Sequence, residues 1–408
     1  MIANAEKRPP APGWFREKLL MGLTPKEYLR SLLTPFNAAA GLILLMGLPV
    51  IAYRFIFGLA AVTNLSQVNP WGIWIAFDVL AGVALAAGGY VLAGAVHLFG
   101  LKEYHPVVRP AILTAFLGYF FVVVGLLVDL GQPWRLPYPI VYSHGVTSVM
   151  FEVAWCVLLY FAVLSLEFSP AVFEWLGLER ARRWASRITI GLVVSGVVLS
   201  TLHQSSLGAL FLMAPAKIHP LWYSPFIPLY FFVSSIIAGL SMVIVETSLS
   251  HKIFRDQLRD QEHVDVDGLA LGLGKAASVV LFSYFFMKLL GIAEGGHWKL
   301  LNTPYGRWFL VEMIGFILLP CFLFAHGARE RNVALTRAAA ALTVIGIVVN
   351  RLNVAVVAYN WSLPDRYVPS WMEVLVSVTI VTLGLLTFRW IVNRMPVLRG
   401  RPNYRRGH

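Results

Sequence analysis

Apolar and polar positions fall in long blocks along this chain. Ten apolar runs lie at about 37–57, 72–99, 107–130, 148–168, 188–211, 226–250, 271–292, 307–327, 337–360 and 371–393, with short polar or aromatic stretches between them. Each approaches the roughly 20 residues that an α-helix needs to cross the hydrocarbon core of a bilayer. In hydrocarbon the backbone must bond to itself, so runs of this length read as helices. The pattern predicts an all-α integral membrane protein of about ten transmembrane helices, spanning 37–393. The first run starts too far from the amino terminus, and lacks the small-residue site, to be a cleaved signal peptide.

Composition agrees with this reading. Of 408 residues, 58% are hydrophobic and 13% charged, about half the charged share of a soluble domain. Disorder, a secreted disulfide scaffold and a nucleic-acid binder are set aside. The net charge of +12 takes its meaning from position. With the amino terminus cytoplasmic, 24 Lys and Arg fall in the tails and cytoplasmic connections, and 7 (Lys288 among them) on the opposite side. The positive-inside rule then places both termini in the cytoplasm, and no nucleic acid is needed to explain the charge. Residues 394–408 form a basic cytoplasmic tail. Residues 1–36 read as an amphipathic cytoplasmic segment. Thr24-Pro25-Lys26-Glu27 is a capping box with proline in the first turn, and Trp14, Phe15, Leu19 and Leu20 give it an apolar face for the leaflet surface.

The outer connections are rich in Trp, Tyr and Pro: Asn69-Pro70-Trp71, Gln132-Pro133-Trp134 and His219-Pro220-Leu221-Trp222-Tyr223. They read either as an interfacial aromatic belt or as a stiff docking platform for a protein on that side. Cys156 and Cys321 lie in apolar runs without a CxxC pair, so the chain cannot hold a four-cysteine iron–sulfur cluster. They read as small core residues, and no metal set is expected.

Ionisable groups inside the spans carry the chemical signal, because each costs roughly 2.5–3.5 kcal/mol on insertion scales. Asp78 falls in the second run, Asp129 at the outer end of the third, Glu152 near the start of the fourth and His203 in the fifth, followed by Gln204 and Ser205. Their positions suggest a shared depth in the outer half of one bundle. Such a pocket suits a quinone, an apolar ring whose reduction takes two electrons and two protons. Histidine can donate to a carbonyl near neutral pH, and a carboxyl in low dielectric can exchange protons. His203 and Asp78 are the first candidates, Glu152 and Asp129 their support, and Trp74 and Tyr119 are further candidates to line the ligand. Tyr90, His97, Glu167, Glu246, Glu312 and Arg351 are candidates for a proton path, with Arg351 expected to pair with Glu312 or Glu373. A b-type haem needs two facing histidines at one depth, and His203 has no match among His97 and His326, so no haem is expected.

Several stretches resemble the HybB-type membrane subunit of periplasmic nickel–iron hydrogenases, within the NrfD/polysulfide reductase membrane subunit superfamily. They are Asn69-Pro70-Trp71-Gly72-Ile73-Trp74-Ile75-Ala76-Phe77-Asp78, Tyr104-His105-Pro106-Val107-Val108-Arg109-Pro110-Ala111, Leu166-Glu167-Phe168-Ser169-Pro170-Ala171 and Leu202-His203-Gln204-Ser205-Ser206-Leu207-Gly208. The resemblance covers about 55–375. It implies two four-helix bundles, 72–211 with the quinone site and 226–360 as the second, plus flanking helices. It also implies menaquinone as substrate near the periplasmic face, no haem, and electrons from a periplasmic ferredoxin-like iron–sulfur subunit. The catalytic partner stays open between hydrogenase subunits, a multihaem cytochrome module and a molybdopterin-like module. Rival readings are a secondary transporter, which would favour interrupted helices and inverted repeats, and a structural anchor, for which Gly82, Ala86, Gly88, Gly89, Ala93 and Gly94 suggest close helix approach in the second run.

Overall fold

Ten helices occupy the ten apolar runs. In the computed structural model, residues 13–142, 145–254 and 264–398 are described. The spans are 1 (Pro35–Phe57), 2 (Trp74–His97), 3 (Lys102–Asp129), 4 (Val149–Leu176), 5 (Thr189–Leu212), 6 (Ile227–Ile253), 7 (Val266–Glu294), 8 (Pro304–Arg329), 9 (Val333–Val357) and 10 (Trp371–Arg394). Local chemistry sets several starts. Thr34, Asp265, Thr303, Asn332 and Ser370 each accept a backbone N–H from the first turn of the following helix, which satisfies an otherwise orphaned donor. Span 4 runs two turns past the expected end. Glu174 in that extension pairs with Arg109 at 3.2 Å, and Gly177 then takes a left-handed φ of 77° to stop the helix.

Spans 2–5 pack around one another, as do spans 6–9, and spans 5 and 6 join the two groups. This is the two-bundle arrangement expected from the resemblance. Spans 1 and 10 pair with each other, and span 10 leans on span 3 and on the start of span 2. Span 2 is the central helix, and its small residues decide how close its neighbours come. A Cβ on Gly239 of span 6 would lie 2.7 Å from the Gly88 backbone nitrogen, and one on Gly89 would lie 2.5 Å from the Ala115 side chain. Spans 2, 8 and 9 contain π-helical segments at Trp74–Ala81, Ile314–Leu318 and Asn353–Val357. Such widened turns often mark functional positions.

The loops divide into a basic face and an aromatic face. The two described ends meet at the basic face, where Arg394 donates to the Leu19 carbonyl at 2.9 Å and to the Tyr28 hydroxyl. The expected capping box is present. Thr24 bonds the Glu27 carboxyl through both its N–H and its hydroxyl, and these bonds hold that carboxyl below the usual carboxylate range. Most of the predicted basic tail, with Lys7, Arg8, Arg255 and Arg259, lies outside the described residues.

Two sequence expectations change here. Lys288, counted among the outer-side charges, is buried inside span 7 at 4% exposure. On the aromatic face, His219 and Trp222 are buried rather than offered as a platform. The His219 ring stacks on Tyr305 at 4.8 Å, and its backbone N–H donates to the Ala358 carbonyl at 2.9 Å. The connection between spans 5 and 6 is thereby locked onto the end of span 9. Trp134, by contrast, is exposed.

Candidate functional site

Asp78 sits on the π-helical turn that opens span 2, buried among span 3 and span 10. Ser377 of span 10 donates its hydroxyl to Asp78 Oδ2 at 2.6 Å. Gly125 of span 3 leaves room for it: a Cβ there would lie 3.3 Å from the Asp78 Cβ. One turn further along span 3 is Asp129, flanked by the carbonyls of Val128 and Leu130, both of which accept from the Arg54 guanidinium. Arg54 is itself buried and caps the end of span 3. Trp74 turns away from Asp78 and bonds the Glu373 carbonyl at 2.9 Å. The Glu373 side chain caps its own helix and accepts the Tyr367 hydroxyl.

Asp78 lies at the end of a cleft of about 630 Å³. Its walls come from spans 2, 3, 6 and 10 and the start of span 1, and they include Phe77, Leu85, Leu117, Phe121, Met242 and Ile380. Exposed Val381, Leu385 and Leu249 among its lining residues open it to the outside of the helix bundle. The cleft continues toward the basic face, where Thr34, Phe36 and Arg389 line it. Glu246 of span 6 lines the same cleft, and its Oε1 has no hydrogen-bond partner among the described residues. Size, apolar walls and a single carboxyl at the far end suit a flat, lipid-soluble ring with a hydrocarbon tail.

The structure does not bring His203 to this cleft. His203 is fully enclosed and packs against Tyr119 at 5.6 Å between ring centroids. Tyr119 meets Tyr160 edge-on at 4.7 Å. Gln204 donates to the Val83 carbonyl at 3.1 Å, so His203 stands level with the middle of span 2. It is nine residues before the end of span 5, about 14 Å in, whereas Asp78 is four residues from the start of span 2, about 6 Å in. The common depth expected from the sequence is absent for this pair. Helix tilt and the π turn are invisible to residue counting. Among the described residues, neither His203 ring nitrogen has a hydrogen-bond partner, while Ser200 faces both the Tyr119 and the Tyr160 hydroxyl. Tyr90 bonds Ser235 at 3.1 Å, and Glu167 packs beside Gly196 next to Tyr160. Ser205 is half-buried, while Glu152 and His97 are exposed, Glu152 in the first turn of span 4 and His97 facing His105 at the basic end.

The expected pairing of Arg351 with Glu312 or Glu373 is replaced by an amide bridge. Asn350 donates to Glu312 Oε1 at 2.6 Å and accepts from Arg351 at 2.8 Å. Lys288 is the cation nearest that carboxylate, at 3.9 Å. Ser377 and Ser200 are polar residues that sequence reasoning passed over, and Lys288 was read only as a charge on the outer side. A serine in an apolar run carries little signal until its partner is known. Among the described residues, no three His, Cys, Asp or Glu come together as a metal set. Cys321 bonds the Ser278 carbonyl at 3.4 Å.

The family model described as polysulphide reductase, NrfD, matches residues 61–361. The chain belongs to the NrfD family. A protein of Nitratidesulfovibrio vulgaris is 55% identical over 93% of this chain and 98% of its own length. The probable Ni/Fe-hydrogenase 2 b-type cytochrome subunit of Escherichia coli is 33% identical over 86% of this chain and 88% of its own. The integral membrane subunit of menaquinone reductase from N. vulgaris is 27% identical over 85% and 87%. The NrfD match contains Asp78, Asp129, His203 and Glu246 but neither Arg54 nor Ser377. The cleft is therefore a family core completed by two flanking spans.

Proposed function

We propose that the chain is the quinone-reactive membrane subunit of a periplasm-facing respiratory oxidoreductase complex, passing electrons between a ferredoxin-like iron–sulfur partner and menaquinone. The carrying observation is the apolar cleft that ends on Asp78 with Ser377 bonded to it. The names of two relatives, a hydrogenase subunit and a menaquinone reductase subunit, favour the same class of complex.

In this reading the iron–sulfur partner supplies two electrons, and the quinone takes two protons to become the quinol. Asp78 gives a proton to a ring carbonyl, and Ser377 holds the carboxyl toward the cleft. Asp129 links Asp78 to the aromatic face, taken as periplasmic from the charge asymmetry of the loops. His203, off the cleft, exchanges protons with Tyr119 and Tyr160 rather than touching the ligand. Tyr90, Glu167 and Glu246 extend that polar set toward the basic face. No redox metal in this chain enters the reading, and the catalytic module is of hydrogenase or cytochrome c-linked type.

The test is Asp78→Asn in the complex purified with its partners. Quinone turnover should fall at least tenfold while the complex stays assembled. Unchanged turnover, or uptake of a solute by the chain alone in proteoliposomes, would overturn the reading.

A further inference from the structure

The bundle of spans 6–9 encloses a second set of charges that the cleft does not use. Lys288, Glu312 and Arg351 are 4%, 1% and 0% exposed. The carboxylate and the guanidinium are each held by neutral partners. Glu312 accepts from Trp222 Nε1 at 2.8 Å, Asn353 Nδ2 at 2.5 Å and Asn350 Nδ2 at 2.6 Å. Arg351 donates to Asn350 Oδ1 and Ser234 Oγ, each at 2.8 Å, and lies 3.8 Å over the Phe231 ring. Asn350 thus joins one negative and one positive group into a neutral pair.

Lys288 is the cation left over. Its Nζ is 3.9 Å from Glu312 Oε1, beyond hydrogen-bond distance. Its other neighbours are the rings of Tyr230, Phe309 and Tyr284 at 5.2, 5.5 and 5.9 Å. Those are the groups that face it from spans 6, 8 and 7. Span 9 offers only the guanidinium of Arg351, which repels an ammonium. An isolated extra charge in a membrane interior is costly. A guanidinium does not shed its proton in a protein. A proton on Glu312 would meet only donors. One group remains that can remove the imbalance.

We propose that Lys288 is a proton-exchanging amine: uncharged while the Glu312–Asn350–Arg351 bridge is intact, and charged when a proton enters the second bundle. On protonation its Nζ gains the bond to Glu312 Oε1 that it lacks here. The proposal does not depend on the quinone reading, because no part of this set lines the cleft.

The experiment is solid-state NMR of the full chain in lipid bilayers with ¹⁵Nζ-labelled lysine. The chain has nine lysines. Near neutral pH, eight should give ammonium signals and one an amine signal. Acidification should convert the amine to ammonium, and Lys288→Met should delete it. If that variant does not fold, a chain with the other eight lysines changed to Arg should keep the amine signal alone. Nine ammonium signals across the whole titration, or an amine that survives Lys288→Met, would overturn the assignment.

Discussion

Ser377 Oγ lies 2.6 Å from Asp78 Oδ2 and ties span 10 to the widened first turn of span 2. The two residues are 299 positions apart. A helix outside the NrfD match therefore orients the buried carboxyl inside it.

Removing that hydroxyl should weaken the site without breaking the fold. A hydrogen bond to a charged group contributes about 1.5–3 kcal/mol, so Ser377→Ala should lower quinone turnover about tenfold or more, 1.4 kcal/mol being one decade. Ser377→Thr keeps the donor and should stay close to wild type. Steady-state turnover of the assembled complex checks both.

Spans 2 and 6 both line the cleft, and they cross closely at Gly88 and Gly239. Gly239→Ala puts a methyl 2.7 Å from backbone nitrogen of Gly88, which cannot yield as a side chain can. The expected cost is about 1–3 kcal/mol, read as a lower thermal midpoint in detergent. Gly41→Ala on span 1 meets nothing within 4 Å and should leave the midpoint unchanged.

His219 predicts a pH dependence of stability. Burial first, and then the neighbouring His297, push its imidazole down to about 4. It is neutral in the fold, where Nδ1 accepts the Leu221 N–H at 3.2 Å. In the unfolded chain it titrates near 6.5, so the unfolded state binds more protons between those values. Its contribution is complete above about 6.5 and is lost as pH falls toward 4. His219→Gln should flatten the thermal midpoint against pH across that window. An unchanged slope would refute the assignment.

Glu312 should be among the residues least tolerant of truncation. Glu312→Ala leaves the donors of Trp222, Asn350 and Asn353 without their acceptor and the buried Arg351 without its counter-charge, and losing one partner of a buried charged set costs about 3–5 kcal/mol. Trp222→Phe removes a single donor and should cost less. Detergent thermal unfolding of both variants, with folded yield, ranks them.

What the sequence determined by itself is the number and place of the helices, because burying backbone in hydrocarbon leaves a run of 20 apolar residues no other choice. The start at Thr24 was of the same kind, settled by a side chain three residues from the amide it caps, and the structure adds like caps at Thr34 and Ser370. The glycines of span 2 already signalled close neighbours. The partners of the polar residues came only with the tertiary structure. Asp78 and His203 each read from the chain as an ionisable group inside an apolar run, yet one ends an open cleft and the other is sealed among tyrosines. About 100° of helix rotation per residue, a π turn and the lean of span 10 decide which face each side chain presents. Those quantities depend on packing between helices far apart in the chain, and no local pattern encodes them.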